Sequence, residues 1–347
     1  CEILKTRQST HIGDILHGFF PKTPEQDEKI ELGQGTLFFE VDGDFDTVIS
    51  ALRNASQGLQ KYQDVLRDEY VFSLRNLEEI YKQAGGIRTG INLIDFYVGG
   101  ILKKELTFIL ADTNVGKSLL MVYIGGQILR QKKKVLHVTL EMSMARTLIR
   151  YFATLAEGED RITYNEILGL TNVDRVFKYS LDLRERYEGY LFVEEMPTGK
   201  GTIEDLHRLV DKYEPDVLIV DYLDLMKPVI RREHKRFELG DLTVALRGLG
   251  AETNIGVLSA TQTSRQAHNK RIVGKQLAAE DYEKMRVSDT VIGMGQSQED
   301  ALRHEVVFYL TKSRNTEKDK AERYFIDFQG MKFRFSRPEL LGQQLAD

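Results

Sequence analysis

The sequence has one cysteine, Cys1, so it holds no pair with which to build an internal disulfide framework. It also lacks an apolar run of bilayer length and a secretory signal pattern, and these absences together predict an intracellular protein without a membrane span. Excess basic charge is missing too. The 48 Lys and Arg face 53 Asp and Glu, a net of −5, which excludes a coat of positive surface and leaves only local basic stretches for nucleic acid. There are no internal repeats and no low-complexity tracts. What is present is 347 residues, 41% apolar and 29% charged, enough for one large domain and an appendage. A chain that starts at Cys1 rather than Met is expected to be a piece of something longer.

The stretch Leu106 to Gln131, LTFILADTNVGKSLLMVYIGGQILRQ, reads as buried strand, tight loop and helix. Leu106, Phe108, Ile109 and Leu110 form the apolar run. Gly116-Lys117-Ser118 opens a helix whose apolar period passes through Leu119, Leu120, Tyr123 and Ile124. This is the setting of a P-loop, with Ala111 where the first glycine is usual. Backbone N–H groups of Asn114, Val115, Gly116 and Leu119 and the positive helix end are expected to wrap phosphates, with Lys117 neutralising the outer ones and the Ser118 hydroxyl helping to hold Mg²⁺. Chance Gly-Lys-Ser tripeptides occur in surface turns, but few of those sit between a hydrophobic strand and an amphipathic helix.

Further strands deliver polar groups in the same manner. VLHVTLE is expected to place Glu141 at its carboxyl end, PDVLIVDY ends in Asp221, a Mg²⁺ partner acting through water, and IGVLSATQ ends in Gln262. With the strand ending at Asp112, four strand ends should converge on one crevice. The segments DTVIGMG, EVVFYLTKSR, RYFIDF and MKFRF are closely spaced and suggest an antiparallel extension of the same sheet. Lys132-Lys133-Lys134 reads as a solvated helix terminus. Near the start, TLFFEVDGD could be an edge strand, and helical spacing runs from Phe45 to Tyr81 before Gly85-Gly86, either as a packed helix or as a linker that docks on a neighbouring subunit.

The order TGINLIDFYVGG, ADTNVGKSL, VTLEMS, VDYLDLM, ATQTSR and TKSRN resembles the motor domain of DnaB-type replicative helicases, and NVGKSL, EEMPTG and KSR are most similar to the T-even phage branch. The likeness spans roughly Gly86 to Phe335. It implies an α/β RecA-like P-loop NTPase core over 86–347, with a mostly parallel sheet and antiparallel C-terminal strands. Residues 1–85 would then be a small segment with linker helices, the family's collar domain being absent or reduced. The resemblance further implies that ATP is bound with Mg²⁺, that Glu141 polarises the attacking water and that Gln262 senses the γ-phosphate. Arg150 would pack on adenine, although a surface ion pair is an open alternative. Lys312 and Arg314 match a K-x-R pair that reaches the neighbouring subunit's ATP; on a strand, residues i and i+2 share a side.

Two basic segments lie where the family's DNA loops do. Lys227 to Arg236 contains Arg231, Arg232, Lys235 and Arg236, and Arg265 to Lys275 contains Arg265, Lys270, Arg271 and Lys275. Cations with little aromatic interleaving suit phosphate tracking along single-stranded DNA, against the plainer reading of solvated loops. The expectation is therefore an ATP-driven helicase motor in a hexameric ring in the cytoplasm of a bacterium or phage-infected cell, served by a primase and a loader. A recombinase-type filament ATPase and a KaiC-like regulatory ATPase are the rivals.

Overall fold

The computed structural model describes residues 29–32, 35–38, 85–157, 161–169, 171–263, 270–272, 282–314 and 320–339. The chain divides into two compact units, Cys1–Ala84 and Gly85–Asp347. In the first, β1 (Lys29–Leu32) and β2 (Gly35–Phe38) pair antiparallel, with Leu32 opposite Gly35. The rest of the expected edge strand and the helical spacing from Phe45 to Tyr81 lie outside the described residues.

The second unit runs α1 (Asn92–Tyr97), β3 (Leu106–Ala111), α2 (Lys117–Arg130), β4 (Val135–Thr139), α3 (Met144–Leu155), α4 (Tyr164–Leu168), α5 (Val173–Tyr187), β5 (Leu191–Glu195) and α6 (Ile203–Tyr213). It continues through β6 (Val217–Asp221), a 3₁₀ turn (Leu223–Leu225), α7 (Lys235–Thr253), β7 (Gly256–Gln262), α8 (Tyr282–Val287), β8 (Thr290–Gly295), α9 (Gln298–Leu302), β9 (Glu305–Lys312), β10 (Ala321–Asp327) and β11 (Lys332–Pro338). A nine-stranded sheet has the order β11-β10-β9-β8-β3-β7-β6-β4-β5.

Strand alternation sorts the core into two layers. From β3, Ile109 and Ala111 join Leu120, Ile124 and Tyr151 on the face covered by α2 and α3, whereas Leu106, Phe108 and Leu110 join Leu206, Leu242 and Leu246 under α6 and α7. Side chains on both faces of β3, β4 and β6 are buried and mostly apolar, with Thr107, His137 and Thr139 among them, as parallel strands covered on both sides require. The edge strand β5 is only half-buried and carries Glu194 and Glu195; its mixed composition gave little signal in the sequence.

One strand departs from the sequence reading. β8, the DTVIGMG segment expected to be antiparallel, pairs parallel to β3 and antiparallel to β9, so the extension begins one strand later. Strand direction is decided by long-range pairing, and α8 provides the crossover that a short turn could not. Chain reversal at β9 also sends its carboxyl end to the amino end of β8, with Lys312 opposite Val291. The two ends of the sheet therefore carry different chemistry.

Candidate nucleotide site and cation pair

At the carboxyl edge, β3 gives way to a loop whose Asn114 (φ 63°) and Gly116 (φ 105°) are left-handed, turning successive N–H groups toward one concavity. A Cβ on Gly116 would meet only Met294 Cε at 3.5 Å, so conformation rather than space demands glycine there. Ala111 is tolerated because it is still strand, paired with Gln262 and Met294, where a Cβ costs nothing.

Lys117, the first residue of α2, folds back into this loop and donates to the carbonyls of Ala111 (3.0 Å) and Asp112 (2.7 Å). Burial holds its ammonium below the ordinary lysine range, with Glu141, Asp112 and Asp221 pulling the other way. Ser118 Oγ donates to Asp221 Oδ1 at 3.2 Å. Asp221 is fully buried at the end of β6, and its Oδ2 has no hydrogen-bond partner among the described residues. Burial pushes its carboxyl up to about 6, against the Ser118 hydrogen bond. A hydroxyl beside an unsatisfied carboxylate oxygen is a donor set suited to a hard divalent cation carried by phosphates. Among the described residues no cluster of three His, Cys, Asp or Glu could hold a metal ion.

Glu141 lies two residues beyond β4, in a turn rather than at the strand end. The Thr139 hydroxyl accepts from Met142 N–H (3.1 Å) and donates to its carbonyl (2.8 Å), and Leu140 N–H donates to the Asp221 carbonyl at 2.8 Å. This leaves the Glu141 carboxylate exposed while its charge acts on Lys117, Asp221 and Tyr222. Gln262 Nε2 donates to Tyr222 Oη at 3.0 Å. Tyr222, which the sequence reading passed over although it lies in VDYLDLM, is pushed up to about 12, by burial first and then by Glu141, Asp224 and Asp221. Arg150 is half-buried on α3, its Nε enclosed and unpaired; its charge reaches Asp221 and His137, and it makes no surface ion pair among the described residues.

Lys312 and Arg314 stand at the other end of the sheet. Lys312 ends β9 and Arg314 lies beyond it, so strand alternation does not align them as expected. They converge instead on the last turn of α8. Lys312 Nζ donates to the carbonyls of Met285 (2.8 Å), Arg286 (2.9 Å) and Ser288 (2.5 Å), and Arg314 Nε sits 3.0 Å from Asp289 Oδ1. Asp289 is buried, bonded by Leu106 N–H (2.9 Å) and gripped by Arg247 at 2.9 and 3.0 Å. Arg314 meets Asp289 at the first residue of β3, roughly 16 Å along the strand from the P-loop of the same chain at 3.3 Å per residue, and Lys312 lies level with Phe108, its ammonium turned to the carbonyls of α8 and the residue after it.

The basic segments are only partly loops. Arg231 and Arg232 precede α7, but Lys235 and Arg236 form its first turn. Arg232 Nε donates to Asp241 Oδ2 at 2.8 Å, and Arg236 lies over the Phe237 ring, 4.8 Å from its centroid. Lys270 is exposed, where the backbone of Lys270 and Arg271 crosses directly above Gly295 of β8. Arg271, expected to face DNA, is turned inward to Asp300 Oδ2 (2.8 Å) and Glu299 Oε2 (3.0 Å) at the start of α9, because a buried carboxylate outcompetes solvent for it. Arg265 and Lys275 lie outside the described residues.

Residues 86–281 match the family model described as the DnaB-like helicase C-terminal domain. The chain belongs to that family. This DnaB-like domain is 25% identical over 274 residues to the DnaB-like replicative helicase of Enterobacteria phage T4, covering 74% of this chain and 52% of that protein. It is 22% identical over 228 residues to the replicative DNA helicase DnaB of Geobacillus stearothermophilus, covering 63% of this chain and 48% of that protein. The chain thus spans about half the length of these relatives. A solved ATPase domain superposes with a TM-score of 0.64 at 16% identity, covering 77% of this chain and 97% of that domain. A DnaB-like replicative helicase studied with its primase interactions gives 0.64 at 13%, covering 83% and 77%. The DnaB-like chain shares their RecA-like ATPase fold, and its family implies nucleotide binding. No helix among its described residues is long and apolar enough to cross a membrane.

Proposed function

We propose that this chain is the ATP-hydrolysing motor of a replicative DNA helicase, working as a hexameric ring with nucleotide between subunits and single-stranded DNA in the channel. The observation that carries the reading is the placement of two complementary half-sites at opposite ends of one sheet. Lys117, Ser118 and Asp221 occupy the carboxyl edge; Lys312 and Arg314 occupy the amino end. With Arg314 held at Asp289, the length of β3 from its own P-loop, and Lys312 turned to the carbonyls of α8, the pair is set to complete a nucleotide site on another copy.

Each group then has a role set by its surroundings. Asn114, Val115, Gly116 and Leu119 offer backbone N–H groups to the phosphates, and Lys117 exchanges its two carbonyl partners for phosphate oxygen. Ser118 and, through water, Asp221 would hold Mg²⁺, which would supply positive charge against the transferred phosphoryl group. Glu141, exposed on a pinned turn, orients the attacking water, and Gln262, held by Tyr222, senses the outer phosphate. Arg150, half-buried on α3 and making no surface ion pair among the described residues, packs on adenine. Arg314 supplies charge in the transition state, as an arginine finger does.

Assembly has further support in α5, where Val173, Phe177 and Leu181 recur every four residues as an exposed apolar stripe. Arg231, Lys235, Arg236 and Lys270 are the exposed cations for DNA, with Arg232 secondary. A solved relative is described with primase, and we extend a primase partner, and a loader, to this protein.

The test is ATPase with and without single-stranded DNA, fork unwinding, and electron microscopy with an ATP analogue. DNA-stimulated turnover, unwinding and closed rings are expected. DNA-coating filaments would favour the recombinase reading, and rings indifferent to DNA a regulatory ATPase.

A further inference from the structure

Helix α8 is six residues long, yet it touches the cation pair and the residues next to the Gln262–Tyr222 pair. Lys284 is 2% exposed, and its Nζ donates to Asp224 Oδ1 at 3.0 Å and to Thr261 Oγ1. The Thr261 hydroxyl in turn donates to Asp224 Oδ2 at 2.8 Å. Both partners adjoin the nucleotide-facing pair: Thr261 precedes Gln262 on β7, and Asp224 follows Tyr222 by two residues. Successive side chains of a strand point to opposite faces, so the end of β7 is clamped to the segment after β6 on both of them, by Gln262–Tyr222 on one and Thr261–Asp224 on the other.

At its far end α8 presents the carbonyls that no intrahelical N–H can reach. Lys312 takes those of Met285 and Arg286 together with that of Ser288, and Arg314 Nη2 takes that of Val287 at 3.4 Å. A helix this short has no stability of its own, so its position is set by its packing along α7, by Met285 in the core, by the Lys284 bonds and by the cations on its last carbonyls. A buried ion pair does not readily exchange its partner for water. Lys284 must therefore follow Asp224 and Thr261 when they shift, carrying with it the carbonyls that hold the cation pair.

We propose that Lys284 is a positioning residue through which the nucleotide site of one subunit sets the placement of its own Lys312 and Arg314, and hence the hydrolysis rate at the neighbouring subunit's ATP. This rests on the reading that the pair acts between subunits. In that case Lys284 belongs functionally with Arg314, although its own contacts lie beside Gln262.

Complementation in mixed rings tests this. Glu141→Gln subunits hold nucleotide without turning it over but offer an intact finger; Arg314→Ala subunits offer an intact nucleotide site without one. Lys284→Met keeps the aliphatic stem and removes the ammonium, and its uniform rings are expected to lose between about ten- and a hundredfold in kcat, the scale of a small misplacement, with nucleotide affinity nearly unchanged. Mixing Lys284→Met with Glu141→Gln should restore turnover, because some interfaces then pair a sound nucleotide site with a sound finger. Mixing it with Arg314→Ala should not. Restoration by Arg314→Ala instead would place the defect in Lys284's own nucleotide site and overturn the inference, as would restoration by both, by neither, or unchanged kcat in uniform rings. Glu141→Gln mixed with Arg314→Ala is the control. If verified mixed rings of that kind stay inactive, the inter-subunit reading itself fails. Should Lys284→Met not assemble, Lys284→Arg, which keeps the charge and alters its reach, is sorted by the same mixtures with the same expected outcome.

Discussion

Ser118 Oγ donates to Asp221 Oδ1 at 3.2 Å, joining the first turn of the P-loop helix to a strand two places away in the sheet. Asp221 Oδ2 is buried without a partner among the described residues, which costs the folded protein free energy.

Asp221→Asn should therefore stabilise the nucleotide-free protein while abolishing Mg²⁺-dependent turnover. Its carboxyl titrates at about 6 rather than 3.8, so the folded state holds a proton that the unfolded state releases, and the stability contributed falls as pH rises from about 4 to about 6. Above pH 6 the ionised carboxylate is a liability on the order of 3 kcal/mol, which the amide removes. Thermal melts in chelator should show the variant higher than wild type at pH 8 and close to it at pH 4. A lower melt at pH 8 would mean that the carboxylate is satisfied in solution.

Lys117→Ala should remove ATP turnover with a cooperative melt retained, because the loop's shape rests on the Asn114 and Gly116 conformations rather than on the ammonium. Glu141→Gln should bind nucleotide and stall, since the amide keeps the shape but loses the carboxylate's hold on water. Equilibrium nucleotide binding beside steady-state ATPase checks both, and ordinary turnover in either variant removes that residue from the site.

Neutralising Arg231, Lys235 and Arg236 should weaken single-stranded DNA binding and reduce the log–log salt slope by roughly 0.7 per lost phosphate contact. Arg232→Gln should change the slope less, because Asp241 already engages that guanidinium at 2.8 Å. Basal ATPase should persist. Binding titrations between low and moderate salt decide it: four equal effects, or none, would contradict the distinction.

Asp300 makes a separate pH prediction. Burial alone would raise its carboxyl, but the Ser297 hydroxyl, Arg323 and Arg271 hold it down to about 2. With a folded pKa below the ordinary 3.8, its contribution is complete above about pH 4 and is lost as pH falls toward 2. Asp300→Asn should cost on the order of 2–3 kcal/mol at pH 7, with the gap from wild type closing in acid. Denaturant unfolding at pH 7 and pH 3 measures it, and a gap that does not narrow would assign the loss to packing.

Strand, loop and helix around Lys117 follow one another without a break in the chain, as do the apolar strands leading to Asp221 and Gln262, so local pattern alone determined the strand–loop–helix unit, the buried strands and the polar groups that end them. The sequence also marked Lys312 and Arg314 as a pair by likeness to a family. It could not set the direction of β8, turn Arg271 toward Asp300, or gather Lys284, Asp224 and Thr261, because each depends on segments brought together only when the sheet is assembled. The same holds for the pairing of Arg314 with Asp289 at the amino end of β3. A strand's hydrophobic period is the same whichever way it runs, and a cation's spacing says nothing of which carboxylate or carbonyl will be nearest once the chain has folded.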